Sequence, residues 1–186
     1  MRWNGLFADL EAQMGRELEV EEAGVAADEF RWERSRQHLP ARIADLGAEG
    51  VVRIRLTDGA SVRLRVQAVG VDWIAGRDAD SRRLLLIPVT AVVTAARGGD
   101  GIAVPQAGPG DPDRTRLGIQ VVLRDLARRR VAVTVSTSAG RRHGTMDAVG
   151  SDHIELAVHA EDAARRQGDV AAVELVALAA VLALSY

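Results

Sequence analysis

The strongest chemical signal in this 186-residue sequence is a cluster of arginines in its second half. Eight arginines lie between Asp113 and His143, against two aspartates in the same interval. Guanidinium groups match the oxygens of a phosphate, so such a cluster is typical of surfaces that bind nucleic acid or another polyanion. Solvated charge at the end of a helix is the alternative. The residues predicted to bind are Arg128, Arg129, Arg130, Arg141 and Arg142.

A second group of arginines alternates with apolar residues in the first half. These are Arg53, Arg55, Arg63 and Arg65, and we expect them to contribute to the same nucleic-acid-binding function. If residues 58–60 form the hairpin loop, Arg55 lies opposite Arg63 and Arg53 lies opposite Arg65. Like charges directly opposed on paired strands destabilise the sheet. The arginines therefore require an anion, either a bound phosphate or an acidic segment of the chain.

The N-terminal segment combines an apolar helical stripe with acidic residues. Residues 1–34 hold nine acidic side chains against four arginines, so we expect this segment to cover the first-half arginines and inhibit polyanion binding. Its apolar residues Trp3, Phe7 and Leu10 are predicted to contact a protein partner, since terminal amphipathic helices are common docking elements. Packing on its own chain or dimerisation is the alternative.

Catalysis, a cofactor and a metal site are not predicted. The chain has no cysteine and shows neither a nucleophile-elbow pattern nor a phosphate-binding glycine loop. His153, Glu155 and His159 have even spacing, which places them on one face of a strand. They would span about 20 Å, too far for one ion, and we expect them on a solvated face. The sequence therefore predicts a binding protein rather than an enzyme.

Net charge and hydropathy limit the classes of partner. The formal net charge is −2, which argues against nucleic-acid binding through bulk positive charge. No apolar run approaches the length of a membrane-spanning helix, so no membrane partner is expected. The N-terminus lacks the apolar core of a signal peptide, and we expect a cytoplasmic protein.

An internal repeat organises the chain. The segment Ala68–Ile74 recurs 80 residues later as Ala148–Ile154, with five of seven positions identical. The same offset superposes two apolar stripes that predict amphipathic helices, with Ser35 and Thr115 as their N-caps. These stripes are Leu39, Ile43 and Leu46 in the first copy and Ile119, Leu123 and Leu126 in the second. Alternating strands follow each helix.

The repeat resembles the Sm/LSm/Hfq-like small β-barrel. The resemblance is carried by Val52–Gly59 with its Asp-Gly turn, by Val69–Asp72 with its Gly-x-Asp, and by the apolar segment Leu86–Val93. It covers about residues 35–95 and 115–185. It implies a mainly β protein with helices (α+β) that consists of two tandem Sm-like β-barrel repeats, each preceded by a helix.

The predicted domains follow from this repeat. We expect an acidic helical N-terminal arm (1–33), a first repeat (34–95), a Gly/Pro-rich linker (96–113) and a second repeat (114–186). The predicted function is a non-catalytic, nucleic-acid-associated regulatory protein, with RNA favoured by the resemblance. The alternative is a protein-interaction or scaffold module that uses the N-terminal helix and exposed strand edges. The sequence leaves the oligomeric state open: several copies could form a ring, or the two repeats of one chain could form a pseudodimer in its place.

Overall fold

Two short helices occupy the positions that the apolar stripes predict. The computed structural model of the chain describes residues 31–32, 34–98, 116–160 and 171–186. Helix α1 is Leu39–Ala48 and helix α2 is Ile119–Arg128. Each buries the middle residue of its stripe, Ile43 or Leu123, against the strands that follow. The two predicted amphipathic helices are therefore confirmed.

The predicted helix caps are not confirmed. Ser35 lies before α1, and its hydroxyl donates to the carbonyl of Trp32 at 2.7 Å, so the prediction of an N-cap at Ser35 is wrong. Thr115 lies outside the described residues. The N-cap residue of α2 is Gly118, and the Ile119 amide donates to the Asp72 carboxylate at 2.8 Å. A side chain distant in sequence thus satisfies an amide that a local cap was expected to bind.

Within the described residues, each half of the chain contributes five strands. The first half forms β1 (Val52–Leu56), β2 (Ser61–Val69), β3 (Trp73–Asp78), β4 (Leu84–Pro88) and β5 (Val92–Arg97). The second half forms β6 (Ala132–Thr137), β7 (Gly140–Val149), β8 (His153–Val158), β9 (Ala172–Ala177) and β10 (Val181–Ser185). Single 3₁₀ turns, Val89–Ala91 and Leu178–Ala180, separate the last two strands of each half.

The ten strands form one open antiparallel sheet, so the predicted pair of closed Sm-like barrels is wrong. The strand order is β5-β1-β2-β3-β4-β10-β6-β7-β8-β9. A closed barrel would require the two outer strands of each half to pair with each other. Instead β4 of the first half pairs with β10 of the second half. Strands β5 and β9 are left as the two edges of the described sheet.

The junction between β4 and β10 is buried on both faces of the sheet. Neighbouring strand residues point to opposite faces, so each strand contributes to two cores. On β4, Leu86 packs in the core beneath α2 while Ile87 packs in the core beneath α1. On β10, Leu184 joins the α2 core and its neighbour Ala183 joins the α1 core. Leu182 also lies in the α1 core, where a register shift between Val181 and Ala183 interrupts the alternation. Burial of apolar side chains of this size stabilises by about 1.5–3 kcal/mol each.

The described core belongs to one unit of the chain. Leu39–Tyr186 is compact by itself, and the halves share its two cores. The boundaries predicted for the arm, repeats and linker stay predictions, since residues 1–30 and 99–115 lie outside the described part. Among the described residues, no helix has the length and apolar character that crossing a bilayer requires.

Candidate functional site

Three of the predicted arginines lie where α2 ends. Arg128 contacts one oxygen of Asp125 at 2.5 Å and Arg129 contacts the other at 2.8 Å. Arg130 follows in the left-handed conformation (φ 55°), and its guanidinium contacts Asp147 of β7 at 2.6 Å. All three guanidinium groups therefore have a carboxylate partner within the chain.

The electrostatics of Asp125 reflect this pairing. Desolvation raises the pKa of its carboxyl, but hydrogen bonds and positive charge from Arg128 and Arg129 outweigh that effect and hold the pKa below its usual value. Exposed ion pairs of this kind contribute little to stability. Their effect here is to reduce the net positive charge that the cluster offers to a ligand.

Arg141 and Arg142 occupy the start of β7, away from the end of α2. As neighbours on a strand, their side chains point to opposite faces. Arg142 contacts Glu174 of β9 at 3.0 Å, whereas Arg141 lines a cleft of about 730 Å³. Arg130 is held by Asp147 near the other end of β7, roughly 17 Å along the strand. The structure thus does not bring the five second-half arginines into one patch.

The cleft beside Arg141 carries charges of both signs. It lies between the β1–β2 turn, the β3–β4 turn and the β6–β7 hairpin. Asp58, Asp78 and Asp80 line it together with Arg141. Asp78 is engaged in its own turn, where it accepts a hydrogen bond from the Ser81 hydroxyl at 2.6 Å. The mixed charge favours neither a polyanion nor a cation.

The first-half arginines, by contrast, lie together. The apolar residues of β1, the first part of β2 and Ile74 of β3 lie in the core beneath α1, so alternation places the arginines on the opposite face of these strands. On that opposite face of β3, Trp73 and Ala75 pack in the core beneath α2. Arg53 lies directly opposite Arg63, and Arg65 lies directly opposite Arg77. We call this surface the arginine face, and its residues are Arg53, Arg55, Arg63, Arg65 and Arg77.

The register of this hairpin differs by two residues from the prediction. Leu56 donates its amide to the carbonyl of Ala60 at 2.8 Å, so the three-residue loop is 57–59 rather than 58–60. Gly59 adopts φ 86°, a conformation that favours glycine over any L side chain. Arg55 consequently lies opposite Ser61, not Arg63. The predicted juxtaposition of like charges occurs, but between different residues.

One anion on the arginine face is identified. Asp80, in the turn between β3 and β4, contacts Arg63 at 3.1 Å. Within the described part of the chain, Arg53, Arg55 and Arg65 have no carboxylate partner. The predicted masking by the N-terminal segment stays a prediction, because residues 1–30 lie outside that part.

The histidines of β8 are not all on a solvated face. His159, which follows the last residue of β8, is buried. One ring nitrogen contacts the Thr145 hydroxyl at 3.1 Å and the other contacts the Ala160 carbonyl at 2.9 Å. The predicted solvent exposure of this residue is therefore wrong. The described residues contain no group of three or more histidine, aspartate or glutamate side chains placed to hold a metal ion.

Asp72 and Trp73 have a role that sequence reasoning missed. Asp72 caps α2, and the Trp73 indole donates to the Leu117 carbonyl at 2.9 Å, so both connect the halves. A side chain at Gly70 would overlap the Trp73 ring, which explains the glycine at this position. The repeated Gly-x-Asp was the only sign in the sequence that Asp72 has a structural role, and it does not indicate which segment the aspartate binds.

The two edge strands expose apolar side chains. Val93 on β5 and Leu175 on β9 are both exposed. Leu175 begins the longest apolar run of the sequence, Leu175–Leu184, and a run of this kind suits buried strands. Leu175 is nevertheless exposed. An edge strand also has unpaired backbone groups that another strand can bind.

The predicted partner-binding residues Trp3, Phe7 and Leu10 lie outside the described residues. No protein-family model matches this chain, and a search of curated proteins also finds no match.

Proposed function

We propose that the protein is a non-catalytic binding protein for a polyanion such as nucleic acid, which it contacts through the arginine face. The observation that supports this proposal is the direct opposition of Arg53 to Arg63 and of Arg65 to Arg77. Like charges opposed across a strand pair cost some tenths of a kcal/mol each. A phosphate backbone bound across these strands would replace this repulsion with charge-assisted hydrogen bonds.

The second half supports this role less well. Arg128, Arg129 and Arg130 would have to exchange their contacts with Asp125 and Asp147 for contacts with a phosphate. Those carboxylates would also repel the ligand. The arginine face includes one ion pair in the described residues, between Arg63 and Asp80, so most of its positive charge is available.

A titration with a short, fluorescently labelled single-stranded oligonucleotide tests the proposal. The double variant Arg53→Ser, Arg65→Ser is expected to bind more weakly. Its plot of log affinity against log salt should be shallower by about 0.7 for each phosphate that the variant no longer neutralises. RNA and DNA of the same sequence are compared, because the preference for RNA depended on a barrel that the open sheet does not form.

The matched control removes two arginines elsewhere. Arg128→Ser, Arg129→Ser makes the same change at two guanidiniums that share Asp125. Its affinity and salt dependence should stay close to those of the unmodified chain. Equal weakening in both double variants, or no binding at low salt, would reject the arginine face as the site.

One observation favours the alternative function, a protein-interaction module. The exposed apolar residues Val93 and Leu175 lie on the two edge strands, where a partner strand can be added. Their positions in the repeat indicate which partner fits.

A further inference from the structure

The described part of the chain contains one complete example of how two halves of this kind join. At this joint β10 pairs with β4, with Leu184 opposite Leu86. The joint is reinforced where Asp72 caps α2 and where the Trp73 indole binds the Leu117 carbonyl. It therefore combines strand pairing, apolar packing and a helix cap.

The repeat shows which residues would form the same joint at the β9 edge. Leu86 pairs with Ala75, and Leu175 pairs with Glu155, which holds the Ala75 position in the second half. Leu175 is thus the counterpart of Leu86. Leu86 is 0% exposed because the second half covers it, whereas Leu175 is 71% exposed.

The opposite edge, β5, shows the reciprocal pattern. Strands β5 and β10 each follow a 3₁₀ turn, and Val93 and Leu182 are the second residues of these strands. Leu182 is 6% exposed because it packs in the first-half core, whereas its counterpart Val93 is 57% exposed. Each edge therefore exposes an apolar side chain whose counterpart is buried at the internal joint.

The helix contact repeats this pattern. Asp72 binds the first amide of α2 and Ile119 is 7% exposed. The counterpart of Asp72 is Asp152, which contacts the adjacent His153 ring at 2.8 Å and is otherwise largely exposed. The counterpart of Ile119 is Leu39, at the start of α1, which is 42% exposed. The Asp152 carboxylate and the start of α1 thus lie at opposite ends of the described sheet. They do not contact each other, whereas their counterparts Asp72 and Ile119 do.

From these correspondences we propose that the partner of the edge strands is a second copy of this chain, which adds head to tail. Strand β9 of one copy pairs antiparallel with β5 of the next, with Leu175 opposite Ala95, as Leu86 lies opposite Leu184. Asp152 then caps α1 of the neighbouring copy. This inference rests on the edge-strand function given above and is independent of polyanion binding.

The two edges differ from each other, so the interface is heterologous. A copy that has used its β9 edge still presents a β5 edge. Such interfaces produce closed rings or open filaments, depending on the rotation between neighbours. The proposed species are therefore not limited to a symmetric dimer.

The first experiment measures the mass of the full chain against concentration by light scattering after size exclusion. The unmodified protein should form species whose masses are multiples of 19.9 kDa. Leu175→Arg and Val93→Arg should each give a monomer, because each places a charge where apolar packing is needed. Both side chains are exposed, so neither change should unfold the chain, and circular dichroism checks this.

Val121→Arg is the matched control. Val121 is an exposed apolar residue of α2, outside both edge strands, and its replacement should leave the mass distribution unchanged. Loss of association in this variant equal to that of the edge variants would overturn the proposal.

Mixing the two edge variants tests the head-to-tail arrangement. The Leu175→Arg copy has an intact β5 edge and the Val93→Arg copy has an intact β9 edge. An equimolar mixture should form a one-to-one dimer that grows no further. A mixture that stays monomeric although the unmodified chain associates would overturn this arrangement.

The proposal and the more general edge-strand function fail in different ways. A chain that is monomeric at every concentration overturns self-association, whether another protein or a segment of the same chain occupies the edges. If a purified partner protein binds that monomer and Leu175→Arg abolishes the binding, the edge-strand function survives without self-association. Neither result changes the oligonucleotide titration, since the arginine face lies on other residues.

Discussion

At the scale of single residues, the chemistry of this protein depends on which groups the fold places beside each charge. The sequence identified Arg53, Arg63 and Arg65 as a block of like charge, and the structure brings them together. It did not identify Arg77, which completes the arginine face from β3. Nor did it show that Asp125 binds two arginines at once. Partners across strands depend on register, which alternation alone does not fix.

Asp72 provides a test at this scale. Asp72→Ala removes the acceptor that binds the Ile119 amide and is expected to lower the free energy of unfolding by about 0.5–2 kcal/mol, as for other helix caps. Asp72→Asn keeps an acceptor and should be destabilised much less. Urea denaturation followed by circular dichroism measures both.

Asp152→Ala is the internal control for this prediction, with this variant and the Asp72 variants made in the Leu175→Arg chain so that no neighbouring copy contacts Asp152. It changes the counterpart residue, which contacts His153 instead of a helix start. A destabilisation in Asp72→Ala no larger than that in Asp152→Ala would contradict the capping role.

At the scale of elements, the spacing of apolar residues predicted the positions of the helices but not which residues pair between strands. Both helices lie where the stripes beginning at Leu39 and Ile119 placed them. The observed β1–β2 register differs from the predicted one by two residues because the turn begins at Thr57. Gly59 permits this turn with its positive φ, and the alternation of apolar residues does not reveal it. Bulges such as the one between Val66 and Ala68 are equally invisible in the alternation of apolar residues.

Gly76 gives a prediction about this bulge. It pairs with Val66, and a Cβ at this position would overlap the backbone carbonyl of Arg65. Gly76→Ala therefore forces β2 and β3 apart and should destabilise the protein by about 1–3 kcal/mol in urea denaturation.

Gly118→Ala is the comparison. Its backbone has φ −76°, and the nearest atoms to an added Cβ are the Asp72 carboxylate oxygens at 3.8 Å. This variant should unfold close to the unmodified midpoint. A midpoint for Gly76→Ala that matches it would show that the sheet can relax around the added methyl group.

At the scale of the whole molecule, the sequence predicted the repeat but not how its copies combine. The same alternating strands can close into a small barrel or continue into a neighbour's sheet. The outcome depends on whether β4 pairs within its own half, and side-chain alternation carries no information about that choice. The feature of the sequence that indicates pairing of β4 with the second half is the continuous apolar run Leu84–Val89. A strand without alternation is typically buried on both faces and so needs other elements to cover both.

Cleavage between the halves tests their association. A protease site is inserted within residues 99–113 of the Leu175→Arg variant, in which copies should not join. The cut fragments are expected to co-elute in native buffer, because Leu86 and Leu182 are buried across the joint. They should separate in denaturant. Separate elution of folded fragments in native buffer would show that the joint is weaker than its burial indicates.

The joint between β4 and β10 has a consequence for how an assembly would respond to dilution. Inside one chain the two halves are tethered, and their effective concentration is of millimolar order at any protein concentration. A joint between copies has no tether and obeys mass action. Dilution therefore breaks every second joint and spares the others. The smallest released species is a pair of halves, so every assembly contains an even number of them.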